Sequence, residues 1–158
     1  MIADSENVAR AIFSPQMIID GELQPEAFRL RASINEDYLS VMRLSIPSWL
    51  DDIKHIPQRQ NRQIYGYAEM NVGEIRGIRL KSVTYDVCEL PNKNVLSHAG
   101  IFINVDGENL IGGKMPNSVK DGKEQDFLLL AIQRELVDIA QKGLRRIGNG
   151  PTISPAAS

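Results

Sequence analysis

An α+β fold built on a mainly antiparallel sheet is what this 158-residue sequence predicts. Three observations lead there. Short β-rich segments alternate apolar and polar residues and are divided by turn signals, most plainly Asp106-Gly107. The expected order is strand, short helix, three strands, long helix, a segregation that belongs to α+β domains. A content of 42% hydrophobic and 24% charged residues is ordinary for a globular chain long enough to bury its own core. The expected architecture is a sheet of four to five strands with a long C-terminal helix and a short helix packed on one face. It occupies one domain over residues 1–146, with 1–37 as a wrapping N-terminal segment and 147–158 as a disordered tail.

Each element has a local reason. Ser5, with Glu6 in the first turn and Val8, Ala9 and Ile12 on one side, reads as the cap of a short helix through Ala11. Ser14-Pro15 breaks it, Asp20-Gly21 is a turn, and Pro25 to Phe28 is a proline-initiated helical turn. Leu39 to Ile46 is a strand stopped by Pro47. Ser48 and Asp51 make a capping-box-like start to a helix that places Trp49, Ile53 and Ile56 together and ends at Pro57. Residues 57–63 form a polar, basic loop. Ile64 to Val72 is a half-buried strand with Ala68 and Met70 inward and Tyr65 and Tyr67 outward. Gly73 to Leu80 suggests one or two helical turns. Ser82 to Leu90 and His98 to Val105 are strands, and Glu108 to Ile111 a short fifth strand after the Asp106-Gly107 turn. Gly112 to Gly122 is a loop. Asp121 and Glu124 then open the last helix, whose stripe is Leu128, Leu129, Ile132, Leu136, Ile139 and Ala140. Gly143 closes it with Leu144 set against Ile139 as in a Schellman motif, and Arg145 and Arg146 suit the negative end of the dipole.

Composition removes several classes. One cysteine, Cys88, excludes an internal disulfide, and with only His55 and His98 beside it no metal site is expected. No nucleotide, metalloprotease or serine-hydrolase motif occurs, so no cofactor is expected. The longest apolar run, Phe127 to Ile132, is too short for a membrane span, and the N-terminus lacks a basic, apolar leader. A net charge of −2 argues against coating of polyanions. A cytoplasmic protein is expected.

Three groups of residues have chemistry to offer. His98 points away from Ala99, Ile101 and Ile103, and a histidine oriented by a carboxylate serves as an acid or base near neutral pH. Asp86 and Cys88 on the neighbouring strand reach it only if the register allows, and a strand cysteine is usually an inert small hydrophobe. Arg43 stands in an apolar strand, so it faces water or meets an anion. Arg43 and His98 together on the less apolar face of the sheet would form a phosphate or carboxylate clamp. The stretch from Ile53 to Ala68 lacks acidic residues and carries Arg59 and Arg62 ahead of Tyr65 and Tyr67, a pattern that suits single-stranded nucleic acid. Structural roles for His98 and Cys88, and solvated roles for Arg43 and the basic loop, stand beside these.

Arg10-Ala11-Ile12-Phe13-Ser14-Pro15, Ala27-Phe28, Val41-Met42-Arg43-Leu44, Tyr65-Gly66-Tyr67-Ala68 and Ser97-His98-Ala99-Gly100-Ile101 together resemble a pattern of small uncharacterised bacterial proteins, over roughly residues 8–105. The pattern has proline two residues before its histidine, where Leu96 stands here. The resemblance implies Arg10, Arg43 and His98 as functional positions in a cytoplasmic protein that works beside larger partners. Three readings follow, in this order. The first is a protein-binding module or accessory subunit of a bacterial multi-component system of defence or stress type. The second is a metal-independent phosphoester or nucleic-acid-processing enzyme using Arg43 and His98. The third is a single-strand binder using Arg59, Arg62, Tyr65 and Tyr67.

Overall fold

The computed structural model describes residues 1–57, 61–147 and 153–155. In chain order the elements are β1 (Asn7–Ser14), β2 (Ile18–Ile19), β3 (Glu22–Leu23), 3-10 turns at Pro25–Phe28 and Ala32–Ile34, β4 (Leu39–Arg43), α1 (Trp49–Lys54), β5 (Gln63–Asn71) and α2 (Val72–Arg76). There follow β6 (Val83–Glu89), β7 (His98–Val105), β8 (Glu108–Asn109), α3 (Gly122–Lys142), β9 (Leu144–Ile147) and β10 (Ile153–Pro155). The fold is α+β. Its eight-stranded sheet runs β10-β9-β5-β1-β4-β7-β6, with β8 also on β7, and every pairing is antiparallel.

The strand count exceeds the expected four to five for two reasons. Residues 7–14 form a strand inside the sheet, not the helix that Ser5 was expected to cap. Val8, Ala9, Ala11, Ile12 and Phe13 are buried on both faces, so the segment shows no alternation, and a short apolar run of that kind has no periodicity to separate strand from helix. The second reason lies after α3. Gly143 closes the helix, but its φ of −107° is not the left-handed conformation of a Schellman motif. A Cβ there would sit 1.9 Å from the Glu69 carbonyl oxygen, and the Gly143 carbonyl accepts the Glu69 N–H at 2.8 Å. The glycine is needed for close approach, and the chain turns directly into β9. Arg145 and Arg146 therefore belong to a strand and not to a helix end. Ile147 also lies in β9, and Ile153–Pro155 pair with it; the rest of the expected tail, 148–152 and 156–158, lies outside the described residues.

Two apolar clusters hold the sheet. Under α2 and α3 lie Val8, Ile12, Met70, Ile101 and Ile103, with Ile132 and Leu136 reaching down from α3. On the opposite face, α1 covers Ala9, Ala11, Phe13, Met42 and Tyr67 through Ile53 and Trp49. Ser48 does not cap α1 through its side chain; its hydroxyl donates to Asp52 Oδ2 at 3.0 Å, and Ser97 donates to the same oxygen at 2.5 Å, which ties α1 to the start of β7. Asp121 does cap α3, accepting from the N–H groups of Lys123 and Glu124 at 2.8 and 3.3 Å. No helix among the described residues is long and apolar enough to cross a membrane.

Candidate functional site

The sheet is split near its centre. β1 pairs with β5 along its whole length, but with β4 only at Val8↔Arg43 and Ala9↔Met42. Beyond Ala9 the two strands no longer pair, and Arg10 fills the gap. Its Nη1 donates to the Ser40 carbonyl at 2.8 Å and its Nε to the Ala27 carbonyl at 3.0 Å. Burial, with Arg31 and Arg62 close by, pulls its pKa down to about 10 against the opposing attraction of Glu36, so it stays charged at neutral pH. Among the described residues no carboxylate forms an ion pair with it.

The split opens into a cleft of about 690 Å³. Ala9, Ala11, Phe13 and Met42 contribute an apolar floor, the small alanines leaving the room. Among the described residues, Arg10, Arg29, Arg31 and Arg62 line it with Glu26 and Glu36, more guanidinium than carboxylate. Arg29 pairs with Glu26 at 3.2 Å and Arg31 with Glu36 at 3.1 Å, while the Arg62 guanidinium carbon stands 3.9 Å from the centre of the Phe13 ring. The size falls in the range of small-ligand sites, and the combination of apolar floor and guanidinium walls fits an anion carried on an apolar group.

His98 stands behind the cleft lining, bonded to Ser40. The register sets Met42 opposite His98 and Ser40 opposite Gly100, and the His98 ring lies 3.1 Å from the Ser40 hydroxyl through Nε2. Nδ1 is 3.2 Å from the Leu90 carbonyl, which can only accept, so the proton sits on Nδ1 and Nε2 accepts from Ser40. Burial holds the His98 pKa below its ordinary 6.5, the Leu90 bond opposing it. Tyr38 leans over the ring with centroids 5.7 Å apart. Asp86 and Cys88 pair with Phe102 and Gly100 and take no part in these bonds.

Arg43 does not join them. It follows Leu39 and Val41 to the face under α3, whereas His98 lies on the other face with Met42; the expected clamp is divided by the sheet. Arg43 is instead held by Glu6 at 3.0 Å and Glu89 at 3.0 Å. Of the basic loop, Arg59 lies outside the described residues, and Arg62 lines the cleft. Tyr67 is buried, not outward, with the Trp49 ring edge-on at 5.1 Å, and Arg146 lies 5.2 Å over Tyr65. The two tyrosines thus do not form an open stacking platform. Among the described residues no group of three or more His, Cys, Asp or Glu side chains is placed to hold a metal ion.

Sequence reasoning named Arg10, Arg62 and His98 but missed Ser40, Arg31 and Glu36. Ser40 alternates with Leu39 and Val41 and so shares the Met42 face, but only the β4–β7 register brings it to His98. Comparison of the chain with protein-family models, curated proteins and solved structures finds no match.

Proposed function

We propose that this chain is a small binding module whose cleft between β1 and β4 receives an anion carried on an apolar body. One observation carries the reading: among the described residues, more guanidinium than carboxylate surrounds a floor of alanine, phenylalanine and methionine. The guanidinium groups give charge-assisted hydrogen bonds to a phosphate or carboxylate, and the apolar body covers the floor. Two sources offer that chemistry. One is an acidic segment of a partner protein, as for an accessory subunit of a cytoplasmic bacterial system of defence or stress type; the other is a small phosphate or carboxylate.

Calorimetry with phenylphosphonate, inorganic phosphate, benzyl alcohol and an acidic peptide tests both. Phenylphosphonate should bind more tightly than inorganic phosphate or benzyl alcohol, and Arg31→Gln and Arg62→Gln should each weaken it about tenfold, the size of one charged hydrogen bond. Tighter binding of the peptide would assign the partner-protein source. Equal affinity of wild type and both variants for every probe would overturn the reading.

A further inference from the structure

Arg10 and His98 converge on one residue from two sides. Arg10 holds the Ser40 carbonyl and His98 accepts the Ser40 hydroxyl. We propose that Ser40 is the nucleophile and His98 the general base of a phosphate monoester hydrolase whose substrate occupies the arginine-lined cleft. The proposal rests on the anion-binding reading above and goes one step further, from holding a phosphate to transferring it.

The geometry supplies the parts of an activated nucleophile. A serine and a histidine nitrogen stand 3.1 Å apart, and a third group, the Leu90 carbonyl, fixes the tautomer that leaves Nε2 free to take a proton. Ring burial keeps the imidazole neutral near pH 7, the state a base needs. Ser40 lines the cleft, and its side chain shares the face of Met42, Ala9 and Ala11. Alternation along β4 adds a backbone argument. The Arg43 N–H donates to Ser97 beside β7 and the Leu44 N–H to Asn7 beside β1, so the hydrogen-bonding edge of Ser40 faces the split. Guanidinium groups in the walls match the oxygens of a phosphoryl group as charge spreads over them in transfer.

In the first step the Ser40 Oγ–P bond forms as the P–O bond to the leaving alcohol breaks. His98 Nε2 takes the hydroxyl proton and passes it to the departing alkoxide. In the second step water attacks phosphorus, His98 takes a water proton, the Oγ–P bond breaks and the proton returns to Oγ. One ester and one water become one alcohol and one inorganic phosphate.

The full chain should turn over p-nitrophenyl phosphate, and quenched reactions should carry a phosphoryl group on the Ser40 peptide by mass spectrometry. Ser40→Ala and His98→Gln, each checked by thermal melting, should lose at least about a hundredfold in rate, the usual contribution of a base. The adduct is read on the wild type, so misfolding of a variant does not blunt the test. Binding of phenylphosphonate without turnover or adduct overturns the proposal and leaves the binding reading standing. Turnover that survives Ser40→Ala also overturns it. Absence of binding by phenylphosphonate, inorganic phosphate and the acidic peptide alike overturns both.

Discussion

The carboxylate of Glu6 is one group through which acid reaches the fold. Burial pushes its pKa up, but the Ala3 N–H, the Ser45 hydroxyl and the Arg43 guanidinium outweigh that and hold it below 4.5. A depressed carboxylate adds stability that is present above the unfolded value and lost as pH falls from about 4.5 through the folded value. Glu6→Gln should remove that part of the pH dependence in urea melts. Arg43→Ala, which strands the same carboxylate, should cost about 1–3 kcal/mol at neutral pH, and a loss under about 0.5 kcal/mol would make Arg43 a solvated surface cation after all. His98 acts at a higher pH. Its folded pKa lies below 6.5, so the unfolded chain takes up the proton first, and stability falls as pH drops from about 6.5 toward the folded value. Burial sets that shift, and the Leu90 carbonyl opposes it. His98→Gln should flatten the melts across this window, and an unchanged slope would mean that the ring is hydrated.

At the level of elements, α3 and the strand it runs into carry the clearest expectation. Ile132 and Leu136 are fully buried on its inner stripe, so Ile132→Ala and Leu136→Ala should each cost about 2–5 kcal/mol. Gly143→Ala should cost about 3 kcal/mol or more by forcing β9 away from β5, although propensity alone would favour alanine in a helix. Wild-type stability of that variant would show that the β5–β9 contact gives way freely. These elements also mark what can be read from a sequence. The α3 stripe, the Asp121 cap and the Asp106-Gly107 turn each depend on neighbours within a few residues, and all three were legible. β1 was not, because a strand buried on both faces carries no period of two. β9 was not, because Gly143, chosen for contact with a strand distant in sequence, looks from the chain alone like any helix-ending glycine. The candidate site divides in the same way. His98 and Arg62 stood out in apolar or basic surroundings and Arg10 was named by the resemblance alone, whereas Ser40 gained its meaning only from the pairing of β4 with β7.

Across the described residues, the antiparallel sheet loses its pairing between β1 and β4 beyond Ala9, and the cleft lies there. β5 and β1 pair over eight positions, and the amides that β1 and β5 turn toward each other should exchange only through global unfolding. β4 is different on its two edges. Val41 pairs with Ala99 and turns its N–H toward β7, so it should be strongly protected. Ser40, one residue earlier, turns its N–H toward the split where β1 has stopped pairing. Its amide should therefore exchange at least about tenfold faster than that of Val41, despite its place in the middle of the sheet. Phenylphosphonate in the cleft should slow Ser40 through local contact, and should slow Val41 only by the amount that native-state binding raises global stability. Equal protection of the two amides in the free protein would mean that β1 and β4 close on each other in solution, and the cleft, with the chemistry argued for it, would have no room for a ligand.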